Sequence, residues 1–301
     1  MTATLRPTRR AQPPAPTPSR RGRRKPGTSR TPASWVVLVC VGAFSIVVVL
    51  PVLLAAMNAV KSSAEYTSGG PLAFPRGFDL TNLAGFWQSI DFTGKLINSV
   101  LISVGATVVA VVLSLLTAYG IGIGRVRGRF WMLAMFMVAF TLPQEALIYP
   151  LYVMSKALGL YDSPWAVVVI VGVLQSAFGI YLLASVMGDF PQEILEAAKL
   201  DGAGRLRTLI SVVIPLLRPT IMVLATFFFI WTWNEFFISL VLLPSGGNQT
   251  VSVALGALFG QYTSSPVTTA AAATVGILPA LVFFLVFQRT LMRGINLGAV
   301  K

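Results

Sequence analysis

Residues 189–219 read DFPQEILEAAKLDGAGRLRTLISVVIPLLRP, and the rest of the chain is understood outward from this stretch. Four acids (Asp189, Glu193, Glu196, Asp201) and four bases (Lys199, Arg205, Arg207, Arg218) fall within it, yet helical apolar spacing continues through it. It is the longest charged interruption between two apolar spans in the second half of the chain. A plain membrane connector needs neither the charge nor the periodicity. The expectation is a folded loop that faces the cytoplasm and receives force from a partner.

The composition sets the class. Of 301 residues, 55% are hydrophobic and 11% charged, and the mean hydropathy is +0.77. A soluble domain carries about 25% charged residues, so this is the composition of a membrane protein. The net charge of +13 invites a nucleic-acid reading, but nine of the 23 basic residues lie in residues 1–33, which hold no acid. No nucleic-acid partner is expected. The chain has no histidine, and Cys40 is its sole cysteine. Structural disulfides, histidine metal sites and Ser–His or Cys–His catalysis are thereby excluded. Cys40 sits in an apolar run and reads as a small buried or lipid-facing residue.

Residues 1–33, rich in Pro, Arg, Thr and Ala, read as a disordered basic cytoplasmic tail. Its Arg20–Lys25 run can touch anionic lipid; the plainer role is to keep the N-terminus inside. The apolar run that follows is too long for a signal-peptide core of roughly 7–15 residues. A bilayer-spanning helix takes about 20 apolar residues. Six segments qualify: 34–60, 96–124, 130–154, 164–187, 220–243 and 267–292, with internal prolines at Pro51, Pro143, Pro150 and Pro279. Residues 61–95 form an extracytoplasmic loop with a short interfacial helix near 80–90, and Asn98–Ser99 suit the cap of the second span. Residues 96–292 make the core, and 293–301 a cytoplasmic C-terminal tail. With the N-terminus inside, nineteen of the 23 basic residues are cytoplasmic; Lys61, Arg76, Lys95 and Lys156 are outside. The expected fold class is an all-α polytopic membrane protein with six transmembrane helices and both termini cytoplasmic. Gly120 with Gly124, and Ala272, Gly276 and Ala280, are expected faces for close helix packing.

Within the charged stretch, Pro191 fits the first turn of a helix, with Asp189, Glu193 and Glu196 near its N-terminal end. Ile194, Leu195 and Ala198 share one face, and Gly202 suits the left-handed position that ends the helix. Leu206, Leu209, Ile210 and Val213 follow at helical spacing, and Pro215 and Pro219 punctuate the exit. The expectation is a helix–turn–helix lying along the membrane. An interfacial amphipathic helix with no partner has the same periodicity, so spacing alone leaves both readings open.

The residues add a resemblance. Glu196-Ala197-Ala198, three residues, Gly202, nine residues, then Val212-Val213-Ile214-Pro215 resembles the EAA motif of ABC importer permeases, usually EAA, then Gly, then I-x-L-P. LINSVLISVGAT (96–107), LPQEALIYPLYVMSKALGL (142–160), WNEFFISLVLL (233–243) and FQRTLMRGINLGAVK (287–301) are similar to the carbohydrate branch, especially its maltose-type second permease subunit. Asn296-Leu297 departs from the commoner Thr-Ala. The resemblance covers residues 34–301. It implies the transmembrane domain of a type I ABC importer in a bacterial cell membrane. It further implies coupling to an ATPase dimer through Glu196, Ala197, Ala198, Asp201, Gly202 and Pro215. Glu196 would meet a basic residue of the ATPase, Ala197 and Ala198 would pack into its groove, and Gly298–Lys301 would reach toward it. A second permease, most simply a distinct chain, and an extracytoplasmic solute-binding protein would complete the assembly. The sequence contains no GxxxxGK[ST] phosphate loop. No cofactor is expected in this chain, and ATP with magnesium would bind the partner ATPase. The chain is expected to be a transport subunit rather than an enzyme.

Glu145 and Glu235 are the acids inside the spans, and intramembrane carboxylates usually face the protein interior. With Trp233, Asn234 and Phe236 they are candidates to line a sugar path; an aromatic belt and helix-bracing carboxylates are the plainer readings. A stand-alone secondary transporter or channel using Glu145 and Glu235 is the competing function, although no inverted repeat is visible.

Overall fold

The computed structural model describes residues 32–124, 126–261 and 265–298. The basic tail to residue 31, Arg125, and the C-terminal residues 299–301 expected to reach a partner lie outside them. The described residues form helices and connecting turns, with no strand among them. In chain order these are α1 (Pro32–Ala59), α2 (Ser63–Gly69), α3 (Thr81–Ser89), α4 (Phe92–Gly122), α5 (Arg129–Thr141), α6 (Ile148–Ala157) and α7 (Pro164–Gly188). There follow α8 (Gln192–Leu200), α9 (Arg205–Thr208), α10 (Ile214–Trp233), α11 (Phe237–Leu242), α12 (Val251–Gln261) and α13 (Pro266–Gly298). Among the described residues, five helical runs are long and apolar enough to cross a membrane, or six if the bent pair α5 and α6 counts as one span.

The chain divides into two compact units, up to Val49 and from Leu50 onward. In the first, the described part of α1 is a uniformly apolar helix whose side chains from Ser34 to Val49 are exposed. A helix apolar on every side is suited to lipid or to another protein.

In the second unit, α4 and α7 form the central pair. Ala106, Ala110, Ser114 and Ala118 recur every fourth residue along α4 and are fully buried. Opposite them are Gly172 and Gly179 of α7. A Cβ on Gly172 would stand 2.8 Å from Val109, and one on Gly179 would collide with Ser114. The Ser114 hydroxyl donates to the Ser176 carbonyl at 3.2 Å, so this buried polar group is satisfied. Gly120 and Gly124 are not the close-packed pair that the sequence pointed to. A Cβ on Gly120 would meet nothing within 4 Å, and the glycine pressed on α7 is Gly122, 2.7 Å from Met187 by the same measure. Ala272 is buried and Gly276 abuts Leu255 of α12, whereas Ala280 is exposed.

Two expected spans are interrupted. The third breaks at Leu142-Pro143, which are both extended, with an 88° bend between the flanking helical segments. A residue before proline is pushed from helical geometry, so α5 ends there. The fifth breaks at 234–236, between α10 and α11, and starts earlier than expected: helix is continuous from Arg205 to Trp233. Residues 209–213 within it are π-helical, just before Pro215. Proline's ring clashes with the carbonyl four residues back, and the wider π turn lets the helix pass. The second half of the expected helix–turn–helix is therefore the root of the fifth span.

Two further differences concern the end opposite the 189–204 loop. The second span begins at Phe92, capped by Asp91, which accepts from Gly94 N at 3.3 Å. Asn98 and Ser99 instead lie inside α4. Asn98 donates to the Gly247 carbonyl (2.8 Å), and the Ser99 hydroxyl accepts from Val251 N (2.8 Å). Lys61 and Lys95, counted as outer loop charges, are buried, Lys61 completely. The Lys61 ammonium donates to Asn58 Oδ1 (2.7 Å) and the Gly70 carbonyl (3.1 Å), and that of Lys95 to the Gly246 carbonyl. Each lysine pins one segment of the connecting loops.

Candidate functional site

The loop after α7 is built by local rules. Pro191 precedes α8, Glu193 stands in its first turn and Lys199 in its last, as the helix dipole favours. Gly202 has φ +73, the left-handed conformation. Its N–H donates to the Lys199 carbonyl (3.0 Å) and that of Ala203 to the Ala198 carbonyl (2.9 Å). These two bonds are a Schellman motif, so Gly202 ends α8 as the sequence implied. A Cβ there would meet open space. The need for glycine is conformational, not steric.

One face of α8 is turned inward. Leu195 is buried in a cluster with Ala118, Ile121, Met187, Phe190, Leu209 and Val213; Ala198 is also buried, whereas Ile194, expected on the same face, is exposed. The opposite face is open. Glu196 and Ala197 are exposed, as are Asp201, Gly202 and Pro215, and Leu200 is 90% exposed. Leu195 thus holds the helix to its own bundle, with Ala198 also turned from solvent, while Glu196, Ala197 and Leu200 form the outer ridge. A large apolar side chain at the tip of a charged loop is a feature that the sequence reading passed over.

At the opposite end, α6 and α11 follow the two breaks and pack on each other. Ile148, Leu151 and Tyr152 meet Ile238, Leu242 and Leu243. The packing of α6 on α11 brings Glu145, just before α6, and Glu235, just before α11, to the same end. Glu145 is exposed; Glu235 is half-buried. Glu235 Oε1 accepts from Ile238 N at 2.8 Å, holding the first turn of α11. Its Oε2 is buried without a hydrogen-bond partner among the described residues. An unsatisfied buried oxygen calls for a donor.

The other path candidates point elsewhere. Trp233 stacks on Phe229 (5.9 Å), which stacks on Phe283 (4.2 Å). Trp233 and Asn234 line a crevice of about 180 Å³ with Ile230, Ala280, Phe283 and Phe284. Asn234 donates back to the Ile230 carbonyl (2.8 Å), and Phe236 covers Gly256 of α12. The candidates are two carboxylates at separate helix breaks and an aromatic crevice beside the second break, not one pocket. Sequence reasoning also missed Gln175 in α7, whose amide donates to the Thr232 hydroxyl (3.0 Å) in the buried interior beside this break.

Comparison with known proteins follows the same lines. The family model for the "binding-protein-dependent transport system inner membrane component" matches residues 110–296. A putative ABC transporter permease of Streptomyces antibioticus is 36% identical, over 75% of this chain and 99% of its own length. The trehalose transport system permease of Mycobacterium tuberculosis is 30% identical, over 84% of this chain and 92% of its own. Among solved structures, a bacterial ABC transporter involved in the import of the acidic polysaccharide alginate shares the fold. Its TM-score is 0.73 at 24% identity, covering 85% of this chain and 95% of that one.

Proposed function

Because the chain belongs to the binding-protein-dependent transport system inner membrane component family, we propose that it is one permease subunit of an ATP-driven importer for a sugar or oligosaccharide. It is a multi-pass protein of the cell membrane. Six spans with both termini in the cytoplasm fit the count, with α5 and α6 as the bent third span. The 189–204 loop then faces the cytoplasm and docks on an ATPase dimer, whose closure is passed to the spans. The ATPase holds ATP and magnesium. A second permease, as a heterodimer, and a solute-binding protein complete the complex. The names of relatives, a trehalose permease among them, support a sugar as cargo.

The observation that carries this reading is the two-sided loop: Leu195 and Ala198 buried in the bundle, Glu196, Ala197 and Leu200 offered outward. An interfacial helix without a partner would turn its apolar side to lipid and leave its charged side to water. Here Leu195 and Ala198 are used internally, while Ile194 and Leu200 stay exposed beside the charges. On the outer side, Glu196 would meet a basic residue of the ATPase and Ala197 would let its surface come close. At the other end, the Glu235 carboxylate and the Trp233–Asn234 crevice suit sugar hydroxyls and ring faces.

The test is uptake of a panel of labelled sugars into proteoliposomes holding the full complex. Uptake should require ATP inside and fall with Glu196→Ala while the chain remains inserted. Equal uptake in an energised membrane lacking any ATPase would overturn the proposal and favour ion coupling through Glu145 and Glu235. Glu235→Gln, which keeps an oxygen for Ile238 N but removes the charge, should impair uptake without loosening the ATPase.

A further inference from the structure

We infer that Tyr119 and Arg129 are positioning residues that tie α4 and α5 to the helices flanking the 189–204 loop, so that the loop's displacement moves several spans together. The inference rests on the reading of that loop as the ATPase-coupling element. Burial holds Leu195 in the bundle's cluster and Ala198 out of solvent, but apolar contact is non-directional and permits sliding. Directional bonds fix the path of motion.

Two side chains supply such bonds at this end. Near the end of α4, the Tyr119 hydroxyl donates to the Arg205 carbonyl at 3.0 Å. Arg205 begins the helical run that continues to Trp233, so this bond joins the end of α4 to the root of the fifth span. Between α8 and that root lie Gly202, at φ +73, and Gly204, beside which a Cβ would meet nothing within 4 Å. These glycines are the compliant point, and Tyr119 grips just beyond it. The adjoining π-helical turn, Leu209–Val213, is itself a departure from regular helix of the kind found at hinges.

Arg129 makes the matching tie. It opens α5, where that helix's own dipole disfavours a cation. Its guanidinium instead donates to the Ala184 carbonyl of α7 at 2.9 Å, close to the negative end of that helix. A Cβ on Gly188 would run into the guanidinium, so Gly188 leaves the room it occupies. The placement serves the joint between α5 and α7 rather than α5 alone. Neither bond is needed for the core. The Tyr119 ring packs on the cluster without its hydroxyl, and α5 and α7 also meet through Phe140 and Phe178, 5.0 Å apart.

The test is a spin-label distance measurement on the complete complex in nanodiscs, with Cys40→Ser as background. One label pair, Gly120→Cys with Lys199→Cys, reads α4 against the loop; a second, Leu72→Cys with Lys199→Cys, reads the loop against the opposite end. All three sites are exposed. In the otherwise unaltered chain, Mg-ATP should change the second distance and leave the first single and narrow. In Tyr119→Phe, Mg-ATP should enrich a displaced first-pair population roughly fivefold, the weight of one neutral hydrogen bond. The thermal midpoint should fall by no more than about 4 °C. Arg129→Gln should show the same decoupling, and Arg129→Lys, which restores a donor, should reverse part of it. A second pair that ignores Mg-ATP in the unaltered chain would overturn the coupling reading itself. A responsive second pair with an unchanged first pair in Tyr119→Phe would overturn the positioning role alone, as would loss of assembly in that variant.

Discussion

A left-handed backbone costs an L-residue roughly 1–2 kcal/mol, and at Gly202 that cost would fall on the cap that shapes the loop's outer ridge. Gly202→Ala is therefore expected to weaken ATPase association by roughly five- to thirtyfold, measured by titration of the solubilised chain with its ATPase. Gly204, at φ −68, is the control; Gly204→Ala should change affinity little. Buried Gln175 and Thr232 make a second residue-scale prediction. Thr232→Val strands the Gln175 amide in the interior and should cost about 1–3 kcal/mol, read as a lower melting temperature in detergent. The double variant with Gln175→Leu should recover part of the loss. Gly202 was legible in the sequence because a cap is local: the charges, apolar face and glycine sit within one short stretch. Gln175 and Tyr119 were not, because their partners lie 57 and 86 residues away and nothing in the sequence sets the register between those helices.

At the scale of elements, the α4–α7 seam depends on small residues at particular positions rather than on glycine spacing as such. Gly179→Ala should destabilise by about 1–3 kcal/mol, as overpacking does. Gly120→Ala should be neutral or slightly stabilising, since the space is open and alanine is the better helix former. Thermal melts of the two variants side by side distinguish the seam from the GxxxG pair that the sequence offered. The broken spans carry the same lesson. Pro143 and Pro215 were both visible in the sequence, but one ends a helix and the other is accommodated by a π turn. Packing decided between them.

A pH effect belongs to the turn before α7. Burial tends to raise the Asp162 carboxyl. Hydrogen bonds from the Ser245 hydroxyl and N–H outweigh it and hold the carboxyl below its ordinary value. A depressed carboxyl stabilises the fold above its ordinary pKa and loses that contribution as pH falls through the folded value. The link between residues 162 and 245 should therefore loosen only in acid, detected as faster amide exchange of Ser245. Asp162→Asn should show the faster exchange already at neutral pH.

For the whole molecule, composition and charge bias were sufficient to read an all-helical membrane chain, because hydropathy is summed over long windows and tolerates local error. The burial of Lys61 and Lys95 shows its limit: a charge counted in a loop can be an internal fastener. The EAA spacing was legible as well, but not which of its alanines faces out, since that depends on how α8 rotates onto the bundle. This two-sidedness gives the most direct test of the central claim. In a Cys40→Ser background, single cysteines at Ala197, Ala198 and Leu200 are treated with a short thiol cross-linker in the assembled complex, the ATPase carrying an engineered cysteine along its groove. Cross-links to the ATPase are expected from Ala197→Cys and Leu200→Cys and not from Ala198→Cys; cross-linking from Ala198→Cys alone, or from none of the three, would contradict the assignment of this loop as the coupling surface.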